Sequence, residues 1–219
     1  MNFIDFFKSY GIEIKNKEQM LRAFTHSSFS NEQHTKNYER LEFLGDAVLQ
    51  LITSEYFYLN SNLSEGEMSK KRASFVCESA LATYAKEIGL NKYIRVGHGQ
   101  ASNINDTIIA DVFESTLGAI YLDCGFDNAK KYIDEIVLPY VEKGTIFLSD
   151  YKSLLQEMVQ TDKKSLEYVI VKEEGPAHDK TFTMSVVIDG IVYGTGVGKS
   201  KKEAEQKAAK IAIEILEKN

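Results

Sequence analysis

One stretch near the start of the chain carries acidic residues at spacings that suit a metal site. Read as a helix, NYERLEFLGDAVLQL (37–51) places Glu39, Glu42 and Asp46 within an arc of about 60°. Like charges four residues apart destabilise an isolated helix by roughly 0.2–0.5 kcal/mol per pair, and a divalent cation would remove that cost. The opposite side of the helix is apolar: Leu41, Leu44, Val48 and Leu51. For this stretch alone, a solvated acidic face is the other interpretation.

A second acidic stretch, TIIADVFESTLGAIYLD, lies far down the chain. Read as a helix, it places Asp111, Glu114 and Gly118 on one face. Its buried stripe is expected to be Ile109, Phe113, Leu117 and Ile120. Glycine inside a helix usually serves close packing, so Gly118 would let a second helix approach beside the two carboxylates. Pairing them with Glu42 and Asp46 gives four hard oxygen ligands, a set that suits Mg²⁺ or Mn²⁺.

Composition limits the class of protein. The 219 residues, 43% hydrophobic and 26% charged, are typical of a globular protein of one or two domains. Cys77 and Cys124 are isolated in sequence, which argues against a disulfide framework or zinc cluster and fits a reducing cytosol. There is no basic leader and no apolar run of about 18 residues, so we expect a cytoplasmic protein without a membrane anchor. With a net charge of −6, any nucleic acid must bind through local patches.

The pattern changes from helix to strand near residue 150. In the first part we expect two short helices within 2–26 and further helices at 37–59, from 64, at 79–88, at 107–123 and at 127–142. Asn37 and Asp127 are expected to cap two of them. The second part predicts a helix at 150–160, strands at 167–171, 182–188 and 191–197, and a helix at 200–217, with a turn at Asp189-Gly190. The predicted architecture is all-α, then a small α-β-β-β-α unit.

Basic and histidine residues are open to two interpretations. Lys70–Arg72 could form a solvated face or a phosphate-contacting edge. The segment KSKKEAEQKAAK (199–210) could be an ordinary charged helix start or a phosphate grip. His26 is expected to be a hydrogen-bonded structural histidine because no second histidine stands at metal-binding spacing. His98 is expected to be an exposed loop residue.

Several segments together resemble the bacterial ribonuclease III family. ERLEFLGDAVL (39–49) resembles its signature segment, and ADVFESTLGAIYLD (110–123) its second acidic segment. Residues 150–219 resemble its double-stranded-RNA-binding domain, with GPAH (175–178) similar to the minor-groove loop and GKSKKEAEQ (198–206) to the phosphate-binding helix start. The resemblance covers essentially the whole chain.

This resemblance implies a fold, an activity and a set of functional residues. The implied fold is an all-α endonuclease domain at 1–143, a short linker at 144–149 and a small α+β double-stranded-RNA-binding domain at 150–219. The implied activity is that of a Mg²⁺-dependent homodimeric endoribonuclease, with Mn²⁺ as a substitute, that processes ribosomal and messenger RNA precursors and leaves 5′-phosphate and 3′-hydroxyl ends. The implied metal ligands are Glu42, Asp46, Asp111 and Glu114, of which Asp46 and Glu114 are catalytic, with Glu39 and Glu65 as secondary acidic positions. The implied RNA contacts are Gln156, Glu157, His178, Lys199, Lys201 and Lys202. The loop Gly97–Asn105 lacks the basic residues that family members often carry, which argues against a phosphate contact there.

Cleavage of both strands of a duplex requires two acidic clusters, which a two-fold symmetric dimer supplies. We expect the long acidic helix to bury its Leu41, Leu44 and Val48 side within the subunit. Phe43 and Ala47 would then face a neighbouring subunit.

Two other function classes are compatible with parts of the sequence. A double-stranded-RNA-binding protein that has lost cleavage is disfavoured because all four acidic positions are present. An all-helical nucleotide pyrophosphohydrolase also binds Mg²⁺ through acidic helices. Its paired motifs lie much closer in sequence than Glu42 and Asp111, and it needs no RNA-binding tail.

Overall fold

The change from helical to strand periodicity coincides with a division of the chain into two units, residues 1–145 and 146–219. The computed structural model describes residues 2–145, 147, 151–161, 164–176 and 180–217. No helix in this described part of the chain is both long enough and apolar enough to cross a membrane.

The first unit is helical. Its α-helices are α1 (Phe3–Ser9), α2 (Lys17–Ala23), α3 (Ser27–Gln33), α4 (Glu39–Asn60), α5 (Glu65–Phe75), α6 (Glu78–Glu87), α7 (Asp106–Cys124), α8 (Phe126–Ile136) and α9 (Leu138–Glu142), with a short 3-10 helix at Leu90–Tyr93. The two acidic stretches form the long helices α4 and α7, and these two share the most extensive contact between described elements.

Helix α7 forms the centre of this unit because it is apolar on most sides. Its predicted stripe of Ile109, Phe113, Leu117 and Ile120 is buried, which confirms that prediction. Each such side chain contributes about 1.5–3 kcal/mol on burial. The core therefore fixes α7, and with it the carboxylates that α7 carries.

Helix α4 differs from its prediction at its start and on one side. It begins at Glu39, after Tyr38, so Asn37 is not its cap. The Tyr38 backbone N–H donates to the carbonyl oxygen of Thr25 at 2.9 Å, which holds the chain outside the helix up to that point. Leu41 and Val48 are buried as predicted, but Leu44 is only half-buried, and Leu51 on the same apolar side is 57% exposed. The buried side is rotated toward Gly45 and Leu49, which are enclosed instead.

Two other predicted boundaries were also wrong. The helix expected at 127–142 is two helices, since Pro139 lacks the N–H that a continuous helix requires. Its first part begins at Phe126, so Asp127 is not its cap. Helix α3 was not predicted, and His26 caps it by accepting the Ser28 N–H on Nδ1 at 3.1 Å. This bond confirms His26 as a hydrogen-bonded structural residue.

The second unit is a three-stranded sheet with two helices. Its elements are α10 (Tyr151–Thr161), β1 (Leu166–Glu174), β2 (Thr181–Ile188), β3 (Ile191–Gly198) and α11 (Lys201–Leu216). The sheet is antiparallel in the order β1-β2-β3, and Asp189 and Gly190 form the predicted two-residue turn with φ of 47° and 80°. The helices share an apolar core with the sheet that includes Leu155, Val186 and Ala208. The predicted fold class, an all-α part followed by an α-β-β-β-α part, is confirmed.

Candidate active site

A glycine contact between α4 and α7 positions the acidic residues. A Cβ on Gly45 would lie 1.8 Å from the carbonyl oxygen of Glu114, and one on Gly118 would lie 2.3 Å from the carbonyl oxygen of Leu41. The two helix backbones therefore touch at a place where any side chain would collide. This close approach, predicted for Gly118, puts the carboxylates of one helix beside those of the other.

Four carboxylates from the two helices, here named the acidic cluster, interact electrostatically: Glu42, Asp46, Asp111 and Glu114. The pKa of Glu42 is raised to about 7, mainly by burial. The negative charges of Asp111, Glu39 and Asp46 raise it further. The pKa of Glu114 is raised to about 8, again mainly by burial. The negative charges of Asp46, Glu42 and Asp111 raise it further. Both values lie well above the ordinary glutamate pKa of about 4.5. The pKa of Asp111 is also raised, mainly by burial and to a smaller extent by the charge of Glu78. A hydrogen bond from Tyr38 and the nearby His26 lower it in part.

Two neutral side chains hold the aspartates of the acidic cluster. Gln50 Nε2 donates to both carboxylate oxygens of Asp46, at 2.9 and 3.0 Å. The Tyr38 hydroxyl donates to Asp111 Oδ2 at 2.9 Å. Sequence reasoning missed both donors. The four-residue spacing of Asp46 and Gln50 was a usable signal, but the bond from Tyr38 spans 73 residues and had none.

The chemistry of the acidic cluster fits a hard divalent cation. Carboxylates are the ligands that Mg²⁺ and Mn²⁺ prefer, and a cation would offset the mutual repulsion that raises the glutamate pKa values. In the part of the chain that the structure describes, no three acidic, histidine or cysteine side chains are arranged to hold one ion as they stand. The carboxylates are thus coupled electrostatically but not converged, so a cation would be held only after side chains rotate.

The two secondary acidic residues differ in placement. Glu39, the first residue of α4, is exposed and contributes to the raised pKa of Glu42. Glu65 begins α5, and its Oε1 accepts a hydrogen bond from Ser69 at 3.2 Å. Glu65 is not among the groups that raise the pKa values of Glu42 and Glu114. Among the described residues of one subunit, the structure associates Glu39 with the acidic cluster and shows no such association for Glu65.

The predicted RNA contacts lie on exposed parts of the second unit. Gln156 and Glu157 are exposed on α10, whose buried side carries Leu155 and Val159. His178 lies outside the described residues.

Three of the predicted RNA contacts are lysines at the start of α11. Lys199, Lys201 and Lys202 are exposed there. Ser200 caps the helix by accepting the Glu203 N–H at 3.1 Å, and the Glu203 carboxylate accepts the Lys199 N–H at 2.7 Å. The positive end of the helix dipole and three lysines therefore coincide, an arrangement suited to phosphate.

The basic run at 70–72 has a partly structural role. Arg72 Nη1 donates to Ser54 Oγ at 2.9 Å and so ties α5 to α4. Lys70 and Lys71 are exposed. His98 is also exposed, as predicted, and its Nδ1 lies 2.8 Å from Glu32 Oε2.

Comparisons with known proteins identify the family. Residues 16–141 match the family model described as ribonuclease-III-like, and residues 151–216 match the double-stranded RNA binding motif. Ribonuclease 3 of Onion yellows phytoplasma (strain OY-M) is 46% identical over 99% of this chain and 92% of that protein. Ribonuclease 3 of Listeria innocua is 44% identical over 95% of both proteins. The solved nuclease domain of ribonuclease III from Campylobacter jejuni is 36% identical, with a TM-score of 0.58 over 62% of this chain and 96% of that one. The resemblance seen in the sequence is confirmed, and the chain belongs to the ribonuclease III family.

Proposed function

We propose that this protein is an endoribonuclease that hydrolyses phosphodiester bonds in double-stranded RNA with a divalent cation, Mg²⁺ or in its place Mn²⁺. The observation that carries this proposal is the joint presence of the acidic cluster and the double-stranded RNA binding motif at 151–216. Relatives named Ribonuclease 3, which align with nearly the full length of this chain, support it.

The acidic cluster performs the chemistry in this proposal, with Asp46 and Glu114 as its catalytic members. A divalent cation bound there supplies the Lewis acidity that makes water a nucleophile near neutral pH and offsets charge at the scissile phosphate. Glu114, with a pKa of about 8 in the metal-free protein, must lose its proton to act as a ligand. Cation binding therefore releases protons and strengthens as the pH rises. Cleavage of the bond between phosphorus and the 3′ oxygen leaves a 5′-phosphate and a 3′-hydroxyl.

The second unit supplies duplex recognition in this proposal. Residues 1–143 carry catalysis, 144–149 connect the two parts, and 150–219 bind RNA. Such domains recognise the shape of A-form RNA over about 16 base pairs through 2′-hydroxyls and phosphates. The contacts are assigned to Gln156, Glu157, His178, Lys199, Lys201 and Lys202.

A homodimer completes the proposal, because each acidic cluster cuts one strand. Helix α4 presents an exposed apolar stripe, here named the α4 stripe, that consists of Phe43, Ala47, Leu51 and Tyr58. Phe43 is 81% exposed and Tyr58 74% exposed, which is unusual for aromatic residues of these sizes. Phe43 and Ala47 point away from the subunit core, as expected from the sequence, and a two-fold contact would cover them.

The test is cleavage of a long RNA duplex in Mg²⁺, with duplex DNA and single-stranded RNA of the same sequence as comparisons. We expect cleavage of the RNA duplex alone and its loss in excess EDTA. A Glu114→Gln variant purified in the same way serves as the control for contaminating nuclease. Equal cleavage of duplex DNA, or full activity in EDTA, would contradict the proposal. Tight binding of duplex RNA without any cleavage in Mg²⁺ or Mn²⁺ would favour a non-cleaving double-stranded-RNA-binding protein.

A further inference from the structure

We propose that Tyr38 is a positioning residue for the acidic cluster. Its hydroxyl orients the Asp111 carboxylate so that one oxygen is held and the other stays available for the divalent cation. This inference rests on the proposed function, since it takes Asp111 to be a ligand.

The contact itself is specific. The Tyr38 hydroxyl donates to Asp111 Oδ2 at 2.9 Å, within the normal range for a hydrogen bond to a carboxylate. Asp111 is half-buried, whereas Tyr38 is only 3% exposed. A side chain so enclosed cannot reach an RNA duplex, so any effect of Tyr38 on the reaction must pass through the residues it touches.

Backbone hydrogen bonds and a ring contact hold Tyr38 in place. Its N–H donates to the carbonyl oxygen of Thr25 at 2.9 Å, and its own carbonyl accepts the N–H of Glu42 at 3.0 Å at the start of α4. Its ring lies against the imidazole of His26, with centroids 5.8 Å apart. The hydroxyl is therefore presented by a rigid support, and it places Asp111 of α7 relative to the first turn of α4.

The chemical type of the donor suits an anionic site. A tyrosine hydroxyl donates one hydrogen bond without adding charge, so it orients the carboxylate without competing with a cation, as a lysine would. The hydroxyl is protonated at neutral pH, since a tyrosine loses its proton only near pH 10, and it is therefore a donor there.

The two donors of the acidic cluster differ in what they leave free. Gln50 donates to both oxygens of Asp46, which leaves each oxygen one lone pair for a cation. Tyr38 occupies only Oδ2 of Asp111. Hydrogen bonds that orient ligands in this way are worth about 10–100-fold in metal affinity.

The experiment measures Mn²⁺ binding to the full-length protein without RNA, by the electron paramagnetic resonance signal of free Mn²⁺. We expect Tyr38→Phe to weaken Mn²⁺ binding by about 10–100-fold. The Mn²⁺ concentration that gives half-maximal single-turnover cleavage should rise by the same factor. The cleavage rate at saturating Mn²⁺ should fall less, and duplex-RNA affinity without divalent cation should stay unchanged.

The chain offers a matched control in Tyr132, which is fully buried and whose hydroxyl oxygen has no hydrogen-bond partner among the described residues. Tyr132→Phe removes the same atom from the same unit and should leave Mn²⁺ affinity as in the wild type. Unchanged Mn²⁺ affinity in Tyr38→Phe would overturn the inference, as would an equal loss in Tyr132→Phe. If Tyr38→Phe fails to fold, the hydroxyl is required by the folded unit itself and the inference is overturned.

A third variant separates this inference from the proposed function. Asp111→Asn should weaken Mn²⁺ binding at least as much as Tyr38→Phe does. If Asp111→Asn has no effect, Asp111 is not a ligand and the proposed ligand set is wrong. If Asp111→Asn weakens binding and Tyr38→Phe does not, the ligand set stands and Tyr38 has no positioning role.

Discussion

Gly45 and Gly118 lie against each other where α4 packs on α7, and a Cβ on either would be 3.1 Å from the backbone nitrogen of the other. No side chain separates the two helices at this level. The carboxylates one turn away on each helix, such as Glu42 and Glu114, can therefore interact across the contact. The glycines set the distance on which the chemistry of the acidic cluster depends.

Gly45→Ala should destabilise the first unit. The added Cβ would meet the backbone of α7, which cannot move aside as a flexible side chain can, and overpacking of this kind costs about 1–3 kcal/mol or more. Urea denaturation of the metal-free protein followed by circular dichroism would measure the change in the free energy of unfolding.

The control is Gly66→Ala in α5, where an added Cβ has no atom within 4 Å apart from its chain neighbours and the backbone of its own helix. That substitution should be neutral or slightly stabilising because alanine favours helix. Equal stability of the two variants would show that the close approach of α4 and α7 tolerates a side chain.

The sequence predicted the existence of α4 and α7 well because both carry long periodic patterns. It also predicted the role of Gly118, since a glycine inside an apolar helix usually serves close packing. The start of α4 was wrong because a long-range bond from Tyr38 to Thr25 decides it, and local capping preferences at Asn37 contain no information about that bond. Leu44 was expected to be buried and is only half-buried for a related reason: several apolar faces of α4 were possible, and only packing against α7 decides which face is buried.

The candidate site shows the same division between local and long-range information. The acidic residues were found from their spacing on each helix. Their partners Tyr38 and Gln50, and the raised pKa values of Glu42 and Glu114, follow from burial and from contacts between side chains in the folded unit. Burial and long-range contacts depend on the packed structure and have no signature within a single helix.

The metal-free protein should lose stability as the pH rises. The pKa of Glu114 is about 8 in the folded state, against about 4.5 when unfolded, so folding takes up a proton between these values. Its stabilising contribution is complete below about pH 4.5 and is lost as the pH rises through about 8. Urea denaturation in EDTA at several pH values should therefore show a decline, with Glu42 adding to it near pH 7.

Glu114→Gln should make that decline shallower, since the glutamine cannot ionise. At pH 8 in EDTA, the variant should be more stable than the wild type. The control Glu135→Gln removes the same charge from an exposed ion pair with Lys131 and should not alter the pH dependence. A wild-type protein equally stable at pH 5 and pH 8 would contradict the raised pKa.

The same Glu114→Gln variant should separate chemistry from RNA binding. Cleavage should fall by orders of magnitude in single-turnover measurements in Mg²⁺, because a charged ligand is lost while size is kept. Duplex-RNA affinity, measured by filter binding in Ca²⁺, should stay nearly unchanged or increase, since repulsion of phosphate decreases. A parallel loss of binding and cleavage would mean that Glu114 is not primarily catalytic.

Phe43→Asp should convert a dimer to monomers. Phe43 is the most exposed large apolar side chain of the α4 stripe, and a charge there would be buried without a partner in a two-fold contact. Sedimentation equilibrium at micromolar concentration should show the change in mass. A cleavage assay on duplex RNA should show the loss of double-strand cutting. Ile191→Asp changes a 62% exposed apolar residue of the second unit and should leave the mass unchanged. A monomeric wild-type protein with intact double-strand cleavage would argue against the dimer.

Changing Lys199, Lys201 and Lys202 together to Ala should weaken RNA binding through lost phosphate contacts while leaving the cleavage step nearly intact at saturating RNA and low salt. Each phosphate contact contributes about 0.7–0.9 to the slope of log K against log salt, so the slope should become shallower by roughly 2–3. A filter-binding salt series in Ca²⁺ measures it. The matched control changes Lys163, Lys164 and Lys172, which removes the same charge from the second unit outside residues 199–210. If both triple variants change the slope equally, the second unit attracts RNA through its overall charge. If the first leaves the slope untouched, the start of α11 is an ordinary solvated helix start, and phosphate must be bound elsewhere on the protein.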